Sequence, residues 1–139
     1  MGAALAKDIE KHKKAGEIVI IDRSPLAIIA YNGYGSQLGE IKLAFSACEA
    51  LFKRWQIDVL LFLETSVETI ESRRKKRGTK DYFESKGPDY HKRVLAGYTA
   101  GLEFLQKHPE LGAKVSTVDA SGSIDDISQS IKTTINSSL

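Results

Sequence analysis

Three short apolar runs, each ending near an acidic residue, place the strongest constraint on the fold of this chain. They are EIVIIDR at 17–23, IDVLLFLE at 57–64 and KVSTVDA at 114–120. Each is too short for a buried helix, and branched apolar residues of this kind are typical of a buried parallel strand. Helical patterns separate the runs. The chain is therefore predicted to be an α/β domain with a parallel sheet.

The segments between the strands carry the spacing or end signals of helices. The clearest is 36–55, where apolar residues recur on one helical face. Thr65 and Glu68 have the spacing of a capping box, and Ser123 is the expected N-cap of the last helix. Helices are thus predicted at 3–16, 36–55, 65–78, 89–108 and 121–135.

Length, composition and charge bound the class of protein. With 139 residues, 42% hydrophobic and 27% charged, the chain has the balance of a single globular domain over 1–139. A net charge of +2 argues against a nucleic-acid-binding domain. The basic run at 72–77 keeps that alternative open, and a steep dependence of nucleic-acid binding on salt concentration would support it. The lone Cys48 fits a reduced compartment, and no apolar run approaches the ~18 residues of a membrane span. We expect a cytoplasmic protein without a membrane segment.

Charged and polar residues gather where the predicted strands end. These positions are Asp22-Arg23, Glu64 and Asp119-Ala120. In open α/β sheets, ligands bind beyond the carboxyl ends of the strands. Arg23 could therefore clamp a phosphate group, and Tyr31 could present its ring and hydroxyl to the same crevice. The alternative is a structural ion pair between Asp22 and Arg23, with Tyr31 simply packed.

A basic helix end precedes a loop of acidic and aromatic residues. Arg73 and Arg77 are four residues apart and share a helix face, where two guanidinium groups suit a phosphoryl group in transfer. The next residues include Asp81, Phe83 and Glu84, and this composition is typical of a lid that closes over a ligand. The alternatives are a solvated helix end favoured by the helix dipole, and a loop held to the core by an aromatic ring.

Taken in order, four segments resemble the thymidylate kinase family. VIIDRSPLAIIAYNG is similar to its Asp-Arg segment, RRKKRGTKDYFE to its lid, KRVLAGY to the following helix, and VSTVDASGSIDDI to its last strand and adenine-contacting loop. The likeness runs from about residue 3 to the C-terminus. It implies a three-layer sandwich of the P-loop nucleotide kinase type, with a lid at about 73–88 and a homodimer as the assembly.

The resemblance also implies roles on the acceptor side. Arg23 would grip the phosphate of a nucleoside monophosphate, with Asp22 orienting it, and Tyr31 would lie against the deoxyribose and disfavour a 2′-hydroxyl. The lid residues near the acceptor nucleotide would be Asp81, Phe83 and Glu84.

On the donor side, the resemblance implies that Arg73 and Arg77 cover the ATP phosphates and adenine, and that adenine rests on Asp119-Ala120. The reaction would transfer the γ-phosphoryl group of ATP to dTMP, giving dTDP, with Arg23, Arg73 and Arg77 stabilising the charge in transfer. Mg²⁺ would arrive with ATP and use no dedicated protein site.

Two departures from the family pattern limit these roles. Ala27-Ile28-Ile29 stand where polar contacts to the base are expected, which leaves another (deoxy)nucleoside monophosphate open as the acceptor. The dipeptide Gly-Lys occurs nowhere in the sequence, so the glycine-rich phosphate loop G-x-x-x-x-G-K-[ST] is absent. The chain resembles the C-terminal two-thirds of the family. We therefore expect it to be inactive alone, and a non-catalytic module that keeps the monophosphate site is the alternative.

Overall fold

A computed structural model describes residues 2–78 and 86–138, and it confirms an α/β fold with a parallel sheet. Within these residues the strands β1 (Val59–Glu64) and β2 (Lys114–Asp119) pair in parallel, with Glu64 opposite Asp119. Two of the predicted acidic strand ends therefore lie side by side. The α-helices of the described residues are α1 (Gly2–Lys14), α2 (Ile41–Trp55), α3 (Val67–Arg77), α4 (Pro88–Lys107) and α5 (Ile124–Ser138).

The prediction of a buried strand at 17–23 is wrong for this structure. The segment lies outside any helix or strand. Its alternate residues differ in exposure: Ile18 and Ile20 are 70% and 82% exposed, whereas Val19 and Ile21 pack against a small buried cluster of α1 and α2. A strand needs a neighbour to accept and donate its backbone hydrogen bonds, and no described residue takes that place. Exposed and packed side chains therefore alternate along this segment as they would in a strand, but the segment does not form the ladder of backbone hydrogen bonds that joins a strand to a sheet.

The main core is built around the apolar face of α2. Cys48 and Phe52 on that face are 0% exposed. Burial raises the pKa of the Cys48 thiol to about 12, with a smaller effect of Glu49 in the same direction, so the thiol is the unreactive kind that the sequence indicated. The buried members of this core are Leu26, Ile29, Cys48, Phe52, Leu60, Leu105 and Leu111.

A π-helix that the sequence did not indicate occupies Ile28–Gly35. Its wide turn is closed where the N–H of Ser36 donates to the carbonyl of Tyr31. The π-helix lies against α4, and a Cβ on Gly97 of that helix would stand only 2.6 Å from the Cα of Ala30. Glycine at this position lets the two backbones touch, which fixes Tyr31 relative to α4.

The starts of α2 and α3 differ from the predicted ones, and the cap of α5 agrees with prediction. α2 begins later than residue 36 because Gly39 turns the chain with a φ of 74°. Ser66, and not Thr65, caps α3, since its hydroxyl oxygen accepts from the N–H of the third helical residue. The Ser123 cap of α5 is confirmed. No helix in the described ranges is both long and apolar enough to cross a bilayer.

Candidate functional site

Arg23 is held against an aromatic ring in a strained backbone conformation. Its φ of 69° is one that non-glycine residues seldom adopt. The guanidinium carbon lies 5.9 Å from the ring centroid of Tyr31, within cation–π distance. The side chain is exposed, and the ion pairs of the described residues do not include one between Arg23 and Asp22. Local strain around an exposed arginine is typical of a ligand-binding position.

Two aromatic residues that sequence reasoning missed complete this arrangement, which we name the Arg23 cluster (Arg23, Tyr31, Phe62 and Tyr98). The Tyr98 ring of α4 meets Tyr31 edge-on, with centroids 6.2 Å apart and planes at 88°. Phe62 of β1 lies 5.9 Å from Tyr98. Burial raises the pKa of Tyr98 to about 12; the nearby Tyr31 acts in the same direction, and Arg23 opposes it. Tyr98 falls in the segment KRVLAGY, but its helical spacing indicated only packing.

A second group of predicted residues meets at the loop after β2. The guanidinium of Arg73 donates to the carbonyl of Gly122 at 3.0 Å. The carboxylate of Asp119 accepts from both the N–H and the hydroxyl of Ser121, at 2.8 and 2.6 Å. The N–H of Ala120 is bonded to the end of β1 at 2.8 Å. The last turns of α3 and the loop after β2 thus form one surface.

The hydroxyl of Ser121 lowers the pKa of Asp119, and its N–H adds to the effect. Ser121→Ala is expected to raise that pKa toward the ordinary ~3.9, measured by NMR titration of carboxyl carbons. Asp126, whose pKa is lowered by Ser123 in the same way, is the internal control and should not move. Since the folded-state pKa is the lower one, the bond stabilises the fold above the ordinary pKa and is lost as the pH falls through the lowered value. An unchanged Asp119 pKa would contradict the assignment.

The lid lies mainly outside the described residues, and with it the predicted positions Asp81, Phe83 and Glu84. Arg77 is the last residue of α3, on the same helix as Arg73. The two helices that flank the lid, α3 and α4, contact each other at Glu71 of α3. One Glu71 oxygen pairs with Arg74 at 2.6 Å, and the other lies 3.9 Å from Nε2 of His91 on α4.

The carboxylates at the strand ends do not form a protein-held metal centre. In the part of the chain that the structure describes, no three His, Cys, Asp or Glu side chains are grouped to hold an ion. Glu64 and Asp119 are neighbours in register, but Asp119 is already bonded to Ser121.

Comparison with known proteins decides the family. A sequence model described as thymidylate kinase matches residues 3–131. The chain belongs to the thymidylate kinase family. It is 33% identical over 118 residues to a thymidylate kinase of an Exiguobacterium species, a match that covers 84% of this chain and 51% of the relative. The match to that of Nitrosospira multiformis is 32% over 120 residues, covering 86% and 55%. For a Psychrobacter species it is 29% over 137 residues, covering 97% and 63%.

The chain therefore spans about half the length of the curated thymidylate kinases that it matches, with 51%, 55% and 63% of these three covered. Within the shared stretch, the family resemblance drawn from the four sequence segments is confirmed. Among the residues of these segments, Arg23, Tyr31 and Tyr98 lie together in the Arg23 cluster. Arg73 lies against the loop after β2.

Proposed function

We propose that this thymidylate kinase family chain supplies the acceptor site, and part of the donor site, of a kinase that transfers the γ-phosphoryl group of ATP to dTMP. The products are dTDP and ADP. The observation that carries the proposal is the Arg23 cluster, in which an exposed, strained arginine lies 5.9 Å from the ring of a half-buried tyrosine. A phosphate and a sugar are the chemical groups that such a pair suits.

On the acceptor side, the planar guanidinium of Arg23 binds two phosphate oxygens through parallel charge-assisted hydrogen bonds. The Tyr31 ring lies along the deoxyribose, where a 2′-hydroxyl would meet it. Polar contacts to the base do not come from Ala27, Ile28 or Ile29, and Ile29 is 0% exposed. Base selection must then come from other residues, so a second (deoxy)nucleoside monophosphate is kept as an alternative acceptor.

On the donor side, Arg73 supplies positive charge beside the loop after β2, and Arg77 shares its helix face. Adenine rests against Asp119 and Ala120. Mg²⁺ arrives bound to the ATP phosphates and neutralises charge there. The protein residues position the two nucleotides and stabilise the charge in transfer, without a covalent intermediate.

The motif G-x-x-x-x-G-K-[ST], whose backbone N–H groups cradle the ATP phosphates, does not occur in these 139 residues, since they contain no Gly-Lys dipeptide. We propose that the chain alone binds ATP weakly and does not turn over. With a glycine-rich loop supplied by an added segment, the acceptor and donor residues described above would complete the site.

We also propose that the protein works as a cytoplasmic homodimer. The start of α2 and the residues before it carry apolar side chains that are exposed in the monomer: Leu38 is 75%, Ile41 40% and Leu43 64% exposed. Neighbouring exposed apolar side chains of this kind are typical of a protein–protein interface.

Nucleotide titration combined with a coupled ADP-release assay tests this function. We expect the chain to bind dTMP, to bind ATP weakly, and to release no ADP in a dTMP-dependent manner. Addition of a glycine-rich N-terminal segment from a related thymidylate kinase should restore turnover. Robust turnover by the chain alone would contradict the requirement for the loop. Bound dTMP with no restored turnover would favour the non-catalytic module.

A further inference from the structure

We propose that Tyr98 is a positioning residue for Tyr31, and that it thereby sets the discrimination between deoxyribo- and ribonucleoside monophosphates. The inference rests on the proposed function of the Arg23 cluster as the acceptor site. It adds a residue of α4, distant in sequence from the Asp-Arg segment, to the determinants of sugar specificity.

Contacts on two sides fix the Tyr31 ring. The guanidinium carbon of Arg23 lies 5.9 Å from its centroid, and Tyr98 meets it edge-on at 6.2 Å with an interplanar angle of 88°. The positive edge of one ring against the negative face of another is a favourable and directional contact. Tyr98 is itself held from the sheet side by Phe62 at 5.9 Å. The position of the Tyr31 ring thus depends on Tyr98.

The backbones that carry the two tyrosines cannot slide apart easily. At Gly97, next to Tyr98, an added Cβ would stand 2.6 Å from the Cα of Ala30, next to Tyr31. It would also lie 3.1 Å from the Cβ of Tyr34. The Tyr31 carbonyl is bonded to the N–H of Ser36 at 3.0 Å. Close backbone contact on both sides makes the distance between the two rings a fixed feature of the fold.

The hydroxyl groups add a second interaction to this contact between rings. Burial raises the pKa of Tyr98 to about 12, and an interaction with the hydroxyl of Tyr31 acts in the same direction. We infer that this interaction favours one position of the Tyr31 hydroxyl. A ring held in place excludes a 2′-hydroxyl by contact, whereas a ring free to swing tolerates it.

A packing role alone makes a different prediction. If Tyr98 only filled space, its replacement would lower stability and weaken the binding of both sugars by the same factor. If Tyr98 positions Tyr31, the ratio of the two affinities changes. The ratio therefore separates a positioning role from a structural one.

Isothermal titration of the chain with dTMP and with its 2′-hydroxyl counterpart, ribothymidine monophosphate, provides the test. We expect Tyr98→Phe, which keeps the ring and loses the hydroxyl, to melt within about 2 °C of wild type and to lower the preference for dTMP about threefold. Tyr98→Leu, which loses the ring, should lower it about tenfold. The matched control is Tyr34→Phe, another half-buried tyrosine of the π-helix, which should leave the preference unchanged.

A preference for dTMP that is unchanged in Tyr98→Phe, and in Tyr98→Leu if it folds, would overturn the inference while leaving the proposed function intact. Wild-type protein that binds neither nucleotide would overturn the proposed function, and the inference with it. A loss in Tyr98→Phe that affects both sugars equally would assign Tyr98 to packing alone and would also overturn the positioning role.

Discussion

Arg23→Ala is expected to weaken the binding of dTMP about 100-fold while leaving the melting temperature of the protein unchanged. A hydrogen bond to a charged group contributes about 1.5–3 kcal/mol, so the loss of two such bonds to a phosphate, at the lower end of this range, comes to about 3 kcal/mol, or at least about 100-fold in affinity. Stability should change little because the Arg23 side chain is exposed and lies against the ring of Tyr31, outside the buried core. Titration calorimetry and thermal melting measure the two quantities.

Two further variants make the Arg23 experiment specific. Arg23→Lys keeps the charge but loses the planar pair of donors, and it should cost about tenfold in affinity. Arg54→Ala removes another exposed arginine, at the end of α2 and outside the Arg23 cluster, and should bind dTMP as wild type does. Equal losses of dTMP affinity in Arg23→Ala and Arg54→Ala would mean that dTMP binding depends on the overall charge of the protein and not on a defined site.

Gly97→Ala is expected to destabilise the protein by about 2 kcal/mol and to lower its melting temperature by about 5 °C. The new Cβ would lie 2.6 Å from the Cα of Ala30, and the obstacle is backbone that cannot rotate away. Alanine is otherwise preferred to glycine in a helix by up to ~1 kcal/mol, so the steric cost must exceed this gain. Thermal melting followed by circular dichroism gives the result directly.

Gly101→Ala is the matched comparison for Gly97, because it is the same change on the same helix. There the new Cβ would meet the Leu26 Cδ2 atom at 2.9 Å, which is the end of a side chain and can shift. We expect a smaller loss of stability than at Gly97. A Gly97→Ala protein as stable as wild type, or more so, would show that α4 and the π-helix are not in close contact, and would remove the basis for a fixed Tyr31.

Short sequence patterns correctly predicted the strands β1 and β2 and one helix start, because these features depend mainly on neighbouring residues in the chain. Continuous apolar runs predicted β1 and β2, and the Ser123 cap marked a helix start that the structure confirms. The segment 17–23 has the same kind of apolar run, yet it forms no strand. A ladder depends on a neighbouring strand, and this information is not contained in the segment itself.

The candidate site was predicted in part, for a similar reason. Arg23, Tyr31, Arg73 and Asp119 stood out because each is polar at the end of an apolar element or within a family segment. Tyr98 lies in the family segment KRVLAGY but was assigned no role, because a tyrosine at helical spacing is ordinarily packed in a core. Only the crossing of α4 over the π-helix at Gly97 brings it to Tyr31. The roles of Asp81, Phe83 and Glu84 stay predictions.

The most direct test of the acceptor site is amide chemical-shift mapping of the labelled chain with dTMP. The account predicts that the largest shifts fall on residues 22–31 and on 97–99, with little change in the groove between α1 and α2 lined by Lys13, Arg54 and Trp55. Shifts confined to that groove, or none between Arg23 and Tyr31 at saturating dTMP, would contradict the assignment of the Arg23 cluster as the nucleotide acceptor site.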